Sequence, residues 1–161
     1  YASDDGGSTW RGGTEEGYAV GVHPADALRV YATGLNSIKV STDGGHTWRT
    51  TGNGAAIGFP IRTGIIVVNP AQPSQVYVGL NNGLARSDDA GETWEHLPLG
   101  DFGGPYHVAL DPESPGDVWV AMRFIYRLDA GSSTFTLVER RFPFTELISL
   151  HSGRLLDRGF C

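Results

Sequence analysis

Two sets of residues in this sequence could do chemistry. The first is periodic: Asp5, Asp43 and Asp89 each stand two positions after a serine and four before a threonine. The stretches read SDDGGSTW (3–10), STDGGHTW (41–48) and SDDAGETW (87–94), with a degraded copy, DAGSSTF, at 129–135. Evenly spaced carboxylates could serve as general acids or bases. Their neighbours point elsewhere. Asp and Ser side chains accept hydrogen bonds from nearby backbone N–H groups and so hold a tight turn. Gly45 and Gly91 stand where such a turn needs positive φ, which costs glycine little. Trp48 and Trp94 then open an outgoing strand. Burying an indole removes roughly 150–250 Å² from water, at most about 4–6 kcal/mol. Structural roles therefore go to Ser3, Asp5, Gly7, Thr9 and Trp10, to Ser41, Asp43, Gly45, Thr47 and Trp48, and to Ser87, Asp89, Gly91, Thr93 and Trp94. Asp129, Gly131 and Phe135 keep what remains of the pattern in the degraded copy.

The second set is irregular and lies mainly in three longer segments, 11–18, 49–63 and 97–106. Glu15, Glu16 and Asp101 are its candidate acids for general acid–base work. Arg11, Asn36, Asn53, Phe59, Arg62, Asn82, Phe102, Tyr106 and Arg123 are its candidate ligand contacts. Aromatic rings beside amides and guanidinium groups suit a sugar, which stacks its C–H faces and hydrogen-bonds through its hydroxyls. Ordinary solvated loops have the same composition.

Other chemistries find no foothold. His23, His46, His96, His107 and His151 show no ligand spacing, so no metal site is expected. His46 fills a variable turn position, and His23 precedes a proline where Asn69 and Asp111 do the same. No glycine-rich motif joins a strand to a helix, and Gly52–Gly58 lacks a following Lys-Ser/Thr, so no nucleotide cofactor is expected. A net charge of −6 leaves no basic stripe for a nucleic acid. The longest aliphatic run, Ile65–Val68, is far too short to span a membrane. Cys161 is the single cysteine, which excludes an intrachain disulfide.

The elements that carry these residues follow from a longer repeat. HPADALRVYATG (23–34), NPAQPSQVYVGL (69–80) and DPESPGDVWVAM (111–122) align without a gap, at intervals of 46 (69 − 23) and 42 (111 − 69) residues. That is the length of one four-stranded propeller blade. Alternation and turn residues place the strands at 18–22, 30–33, 38–42 and 47–51, at 64–69, 76–80, 84–88 and 93–97, and at 106–110, 118–122, 124–128 and 134–139. The aliphatic run 64–69 reads as a strand buried on both faces. Gly is 23 of 161 residues, as many short strands joined by tight turns require.

The expected fold is all-β: a β-propeller of four-stranded antiparallel blades, because one such sheet cannot cover both its faces and stacking blades radially does. Residues 1–10 read as the end of a blade. Blades follow at 11–51, 52–99 and 100–140, and 141–161 reads as the start of a further blade or a tail. Either a partial ring, three full blades plus a split fourth, or a small four-bladed ring fits; further blades or another copy would complete the former. Strand order puts the Ser-x-Asp turns and proline loops at one end. The remaining hairpins and blade-to-blade connections, with the second set of residues, fall at the other.

The pattern at 3–10, 41–48 and 87–94 resembles the Asp-box, or bacterial neuraminidase, repeat. NPAQPSQVYVGL followed by GLARSDDAGETW is most similar to blades of family 74 glycoside hydrolases (xyloglucanases) and of bacterial proteins known only by such repeats. Sialidases, sortilin-type receptors and photosystem II assembly factors share the box more loosely. The resemblance covers about 1–139 and implies an Asp box between the third and fourth strands, away from the ligand site. It also implies carbohydrate or protein as partner and, by itself alone, an extracytoplasmic location. Catalysis does not carry over: the sequence around Arg11, Arg62 and Arg123 matches no sialidase triad. Xyloglucanase chemistry would need an acid and a base on two propeller domains. The expectation is a non-catalytic scaffold or binding module, with a hydrolase fragment completed by further blades as the alternative.

Overall fold

The computed structural model describes residues 3, 5–12, 17–53, 64–100, 104–105 and 107–139. Within them the chain forms twelve strands: β1 Ala19–His23, β2 Asp26–Gly34, β3 Ser37–Ser41, β4 Arg49–Asn53, β5 Ile66–Val68, β6 Val76–Leu80, β7 Gly83–Ser87, β8 Glu95–Pro98, β9 His107–Leu110, β10 Val118–Ala121, β11 Ile125–Leu128 and β12 Phe135–Glu139. They pair consecutively and antiparallel into three four-stranded sheets, β1–β4, β5–β8 and β9–β12. Among the described residues there is no helix, hence none long and apolar enough to cross a membrane.

The core lies between the sheets. Tyr31 and Val40 of the first sheet cluster with Val76 of the second, and Ile38 clusters with Val78, Leu80 and Ala85. On the other side of the second sheet, Tyr77, Leu84 and Leu97 meet Val118, Val120 and Leu128 of the third. The middle sheet is thus covered on both faces, and all five residues of β6 are buried. These are three successive blades of a β-propeller.

Two expectations need correcting. The strand read as buried on both faces is short, Ile66–Val68, and only half-buried. It is the edge strand of its sheet, so among the described residues no strand pairs with one of its flanks. The first blade also departs from the gapless repeat. There β2 starts at Asp26, paired with His23 across a tight Pro24-Ala25 turn after a register irregularity at Val22/His23. Asn69 Oδ1 accepts from the backbone N–H groups of Ala71 and Gln72, and Asp111 Oδ1 from those of Glu113 and Ser114, which props those loops open. His23 Nδ1 accepts only from Ala25, at 3.3 Å.

The sheets approach most closely where β1 meets β5. A β-carbon added at Gly21 would lie 2.7 Å from Ile66 Cγ2. Toward the outer edge a larger group fills the gap: the Trp94 ring lies on Gly52 of β4, and its Nε1–H donates to Thr51 Oγ1 at 3.1 Å. The indole also packs on the apolar clusters between the two sheets, so it ties its turn to the preceding blade as well as to its own. Trp10, in the first copy, remains 63% exposed.

Candidate functional site

The three intact boxes fold alike, and the second and third join the third and fourth strands of their blades. In the box at 41–48, Ser41 Oγ donates to Asp43 Oδ1 at 2.7 Å and accepts from Gly45 N–H at 2.8 Å. Thr47 N–H donates to Asp43 Oδ1 at 2.8 Å, and Thr47 Oγ1 to Asp43 Oδ2 at 2.6 Å. Asp5 with Ser3 and Thr9, and Asp89 with Ser87 and Thr93, repeat this arrangement.

Donors to both oxygens favour the carboxylate. The Thr9 hydroxyl, the Thr9 N–H and the Ser3 hydroxyl hold Asp5 at about 2. Thr47 and then Ser41 pull Asp43 down further. Burial opposes ionisation most at Asp89, but the bonds from Thr93, Ser87 and Glu92 together outweigh it and leave the group at about 2. Acids so saturated have no proton to give near neutral pH. They hold turns.

The degraded box shows what the serine did. Leu128 pairs with Val118 as Ser87 pairs with Val76, so by strand register it stands in the serine's place, buried against the core, one residue later than the spacing from Asp129 indicates. Asp117, in the β9–β10 loop, supplies the missing acceptor: it takes the Ala130 N–H at 2.7 Å and pairs with Arg127 at 2.6 Å. Asp129 is left to Arg127 Nε at 3.0 Å. Phe135, where the other copies have Trp, packs against the core between the second and third blades.

Each docked turn also meets the blade before it. A β-carbon added at Gly91 would lie 2.8 Å from Tyr31 Cε1 and 2.9 Å from Val40 Cγ2, while Ala90 O accepts from Arg29 Nη1 at 3.1 Å and from the Tyr31 hydroxyl at 3.2 Å. Arg86 Nη1 reaches Ser132 O in the same manner, at 2.7 Å.

The opposite end carries the β2–β3, β6–β7 and β10–β11 hairpins, one from each blade. Asn36 sits exposed in the first, with φ of 56°. Asn82 lies in the second, its carbonyl accepting from Leu99 N–H at 2.7 Å. Gly83 follows because a β-carbon there would collide with the Leu97 carbonyl oxygen. Arg123 sits exposed in the third, its guanidinium 5.5 Å from the centre of the Phe124 ring. Asn53 ends β4. Arg11 does not join them: its Nη1 lies 2.6 Å from His46 Nδ1, beside an Asp-box turn at the other end. It directly follows Trp10 and so belongs to that turn, whereas its place at the head of a long segment had suggested the loop end. Glu15, Glu16, Phe59, Arg62, Asp101, Phe102 and Tyr106, and the Asn53 side chain, lie outside the described residues.

Two exposed apolar residues escaped the sequence reading. Tyr18, just before β1, is 57% exposed, and Leu35, in the β2–β3 turn, is 59% exposed. In sequence Tyr18 both opens the strand expected at 18–22 and closes the long segment 11–18, and that adjacency was the available signal.

Fold and turns together define a sector of an Asp-box β-propeller. Residues 39–50 match the BNR/Asp-box repeat. The structure is similar to that of a GH74 enzyme of Niastella koreensis, with a TM-score of 0.62 and 22% identity, over 76% of this chain and 22% of that one. It is likewise similar to an ancestral GH74 enzyme, with a TM-score of 0.60 and 14% identity, over 74% of this chain and 18% of that one. The chain thus spans about a fifth of the length of these enzymes, and the likeness is one of fold. No curated protein sequence matches it.

Proposed function

We propose that the chain is a non-catalytic propeller sector that presents its hairpin end to a ligand, with a carbohydrate as the ligand class. The contrast between the two ends carries this reading. At the box end the repeated acids are consumed by their own turns. At the hairpin end Tyr18 offers an exposed ring, and Asn36 and Arg123 offer exposed polar groups in the corresponding hairpins of the first and third blades. A ring to stack and amides to hydrogen-bond are what a pyranose needs. Further blades, from the same polypeptide or from a second copy, complete the ring.

A glycan array on the 161-residue chain, paired with a hydrolysis screen on xyloglucan and sialosides, tests this reading. Binding without turnover is expected, with Tyr18→Ala weakening it about tenfold or more. The likeness to GH74 enzymes supports a second reading, a glycoside-hydrolase fragment active only with further blades. Its acids would come from Glu15, Glu16 and Asp101. Turnover abolished by Glu15→Gln or Asp101→Asn would establish that reading in place of the first.

A further inference from the structure

The second and third blades carry the same guanidinium device, complete on one and open on the other. Tyr77 pairs with Arg86 across β6 and β7, and Trp119 with Arg127 across β10 and β11. Arg86 Nη2 lies 2.8 Å from Glu95 Oε2, and its Nε 3.2 Å from Asp88 Oδ2. Arg127 Nη2 lies 2.6 Å from Asp117 Oδ2, and its Nε 3.0 Å from Asp129 Oδ1. The remaining arm of Arg86, Nη1, donates to Ser132 O in the turn of the next blade. Among the described residues Arg127 Nη1 makes no hydrogen bond. A guanidinium has donors and no acceptor, so an oxygen is what completes it.

Exposure follows the same division. Tyr77 is 1% exposed and the Arg86 side chain 11%, because the third blade covers them. Trp119 is only half-buried and the Arg127 side chain is 40% exposed, its guanidinium 5.7 Å from the centre of the Trp119 ring. Val118 and Val120 point to the second blade, so Trp119 between them faces away from it. The first junction obeys the same rule with other residues: Ala90 O, in the box of the second blade, accepts from Arg29 and Tyr31 of the first. At both junctions a blade grips a carbonyl of the next blade's turn with a guanidinium, beside a buried tyrosine.

The chain also holds a box with no preceding blade among the described residues. The turn at 3–10 is fully bonded, yet Trp10 is 63% exposed, whereas Trp94 rests on Gly52 of the blade before it. That side is bare on the first blade too. Val20 and Val22 hold the register positions of Ile66 and Val68, which pack on the first blade, and are 67% and 55% exposed.

We propose that the Trp119–Arg127 face is a docking surface for an Asp-box turn, gripped by Arg127 Nη1 through a backbone carbonyl, and that its occupant is the box at 3–10 of a second copy of this chain. The face and the box lie at opposite ends of the run of blades, so the contact is head-to-tail. The proposal rests on the reading of the chain as a propeller sector and selects a second copy as what continues it. It does not depend on what the hairpin end binds, so a glycan array without binding leaves it standing.

Sedimentation velocity on the 161-residue chain from about 1 μM to 1 mM, the span of weak to moderate contacts, tests it. The mass is expected to climb above that of one chain as concentration rises. Arg127→Ala removes the grip and Trp10→Ala trims the box, and each weakens association about tenfold or more. Arg127→Lys does the same while keeping a cation beside Asp117, which separates loss of the grip from loss of the fold. A head-to-tail contact has a further signature. An equimolar mixture of Arg127→Ala and Trp10→Ala chains regains one intact junction and stops at pairs. A parent chain that keeps the mass of one chain throughout, association unmoved by the single variants, or a mixture that does not pair overturns the proposal.

Discussion

Arg49 and Glu92 face each other across the junction of the first two blades, Nη2 to Oε2 at 2.7 Å. Glu92 also draws Arg29 Nη1 to 3.8 Å. The pair is more than two-fifths exposed on both sides, so solvent screens it. Glu92→Gln is expected to lower stability by about 1 kcal/mol or less, a loss that shrinks with added salt. Denaturant melts at low and high ionic strength check this. A loss well above that would mean the pair carries the junction, in place of the apolar contacts behind it.

Gly91→Ala and Gly7→Ala separate turn strain from blade packing. Both residues have φ near +90°, 90° and 92°, so both substitutions strain the backbone. Only at Gly91 would the new β-carbon also meet a neighbouring blade, 2.8 Å from Tyr31 Cε1 and 2.9 Å from Val40 Cγ2. Gly91→Ala should cost more than Gly7→Ala by about 1–3 kcal/mol. Equal costs in urea unfolding would place the whole penalty in the turn.

Ala90→Gly should stabilise. Ala90 has φ of 58° where the other intact boxes have Gly6 and Gly44, each at 70°. Relief of left-handed strain, about 1 kcal/mol or more, is opposed by the greater freedom of glycine in the unfolded chain, about 0.4–1 kcal/mol. The net gain is small and positive. A calorimetric melt that moves downward would show that the strain is not felt.

Acid should loosen the boxes in a defined window. Asp5 and Asp89 are held at about 2, against 3.8 for a free aspartate, and Asp43 lies lower still. A depressed folded-state pKa gives stability that is present above about pH 4 and lost as pH falls through the folded value. Asp89→Asn should therefore lower the melting temperature at neutral pH, with the gap from the parent chain closing between about pH 4 and 2. A gap unchanged across that window would mean the charge of Asp89 contributes nothing.

Much of this was legible in the chain itself. Ser-x-Asp-x-Gly-x-Thr-Trp states a local arrangement, since the bonds that the Ser41 and Asp43 side chains make in the turn at 41–48 join residues at most four apart. Alternation and the Pro-to-aromatic repeat state where strands run, because each strand answers to its own residues and its nearest hairpin partner. What a blade does to its neighbour depends on residues some 43 to 59 positions away, as Trp94 with Thr51 and Tyr31 with Ala90 show. No local pattern encodes such distances. So the half-burial of β5, the resting place of the Trp94 ring and the position of Arg11 beside His46 were settled by how sheets stack. The order of strands and turns came from the sequence alone, since it rests on short-range hydrogen bonds. The faces they turn to one another came only from tertiary structure, since burial is a property of the assembled blades.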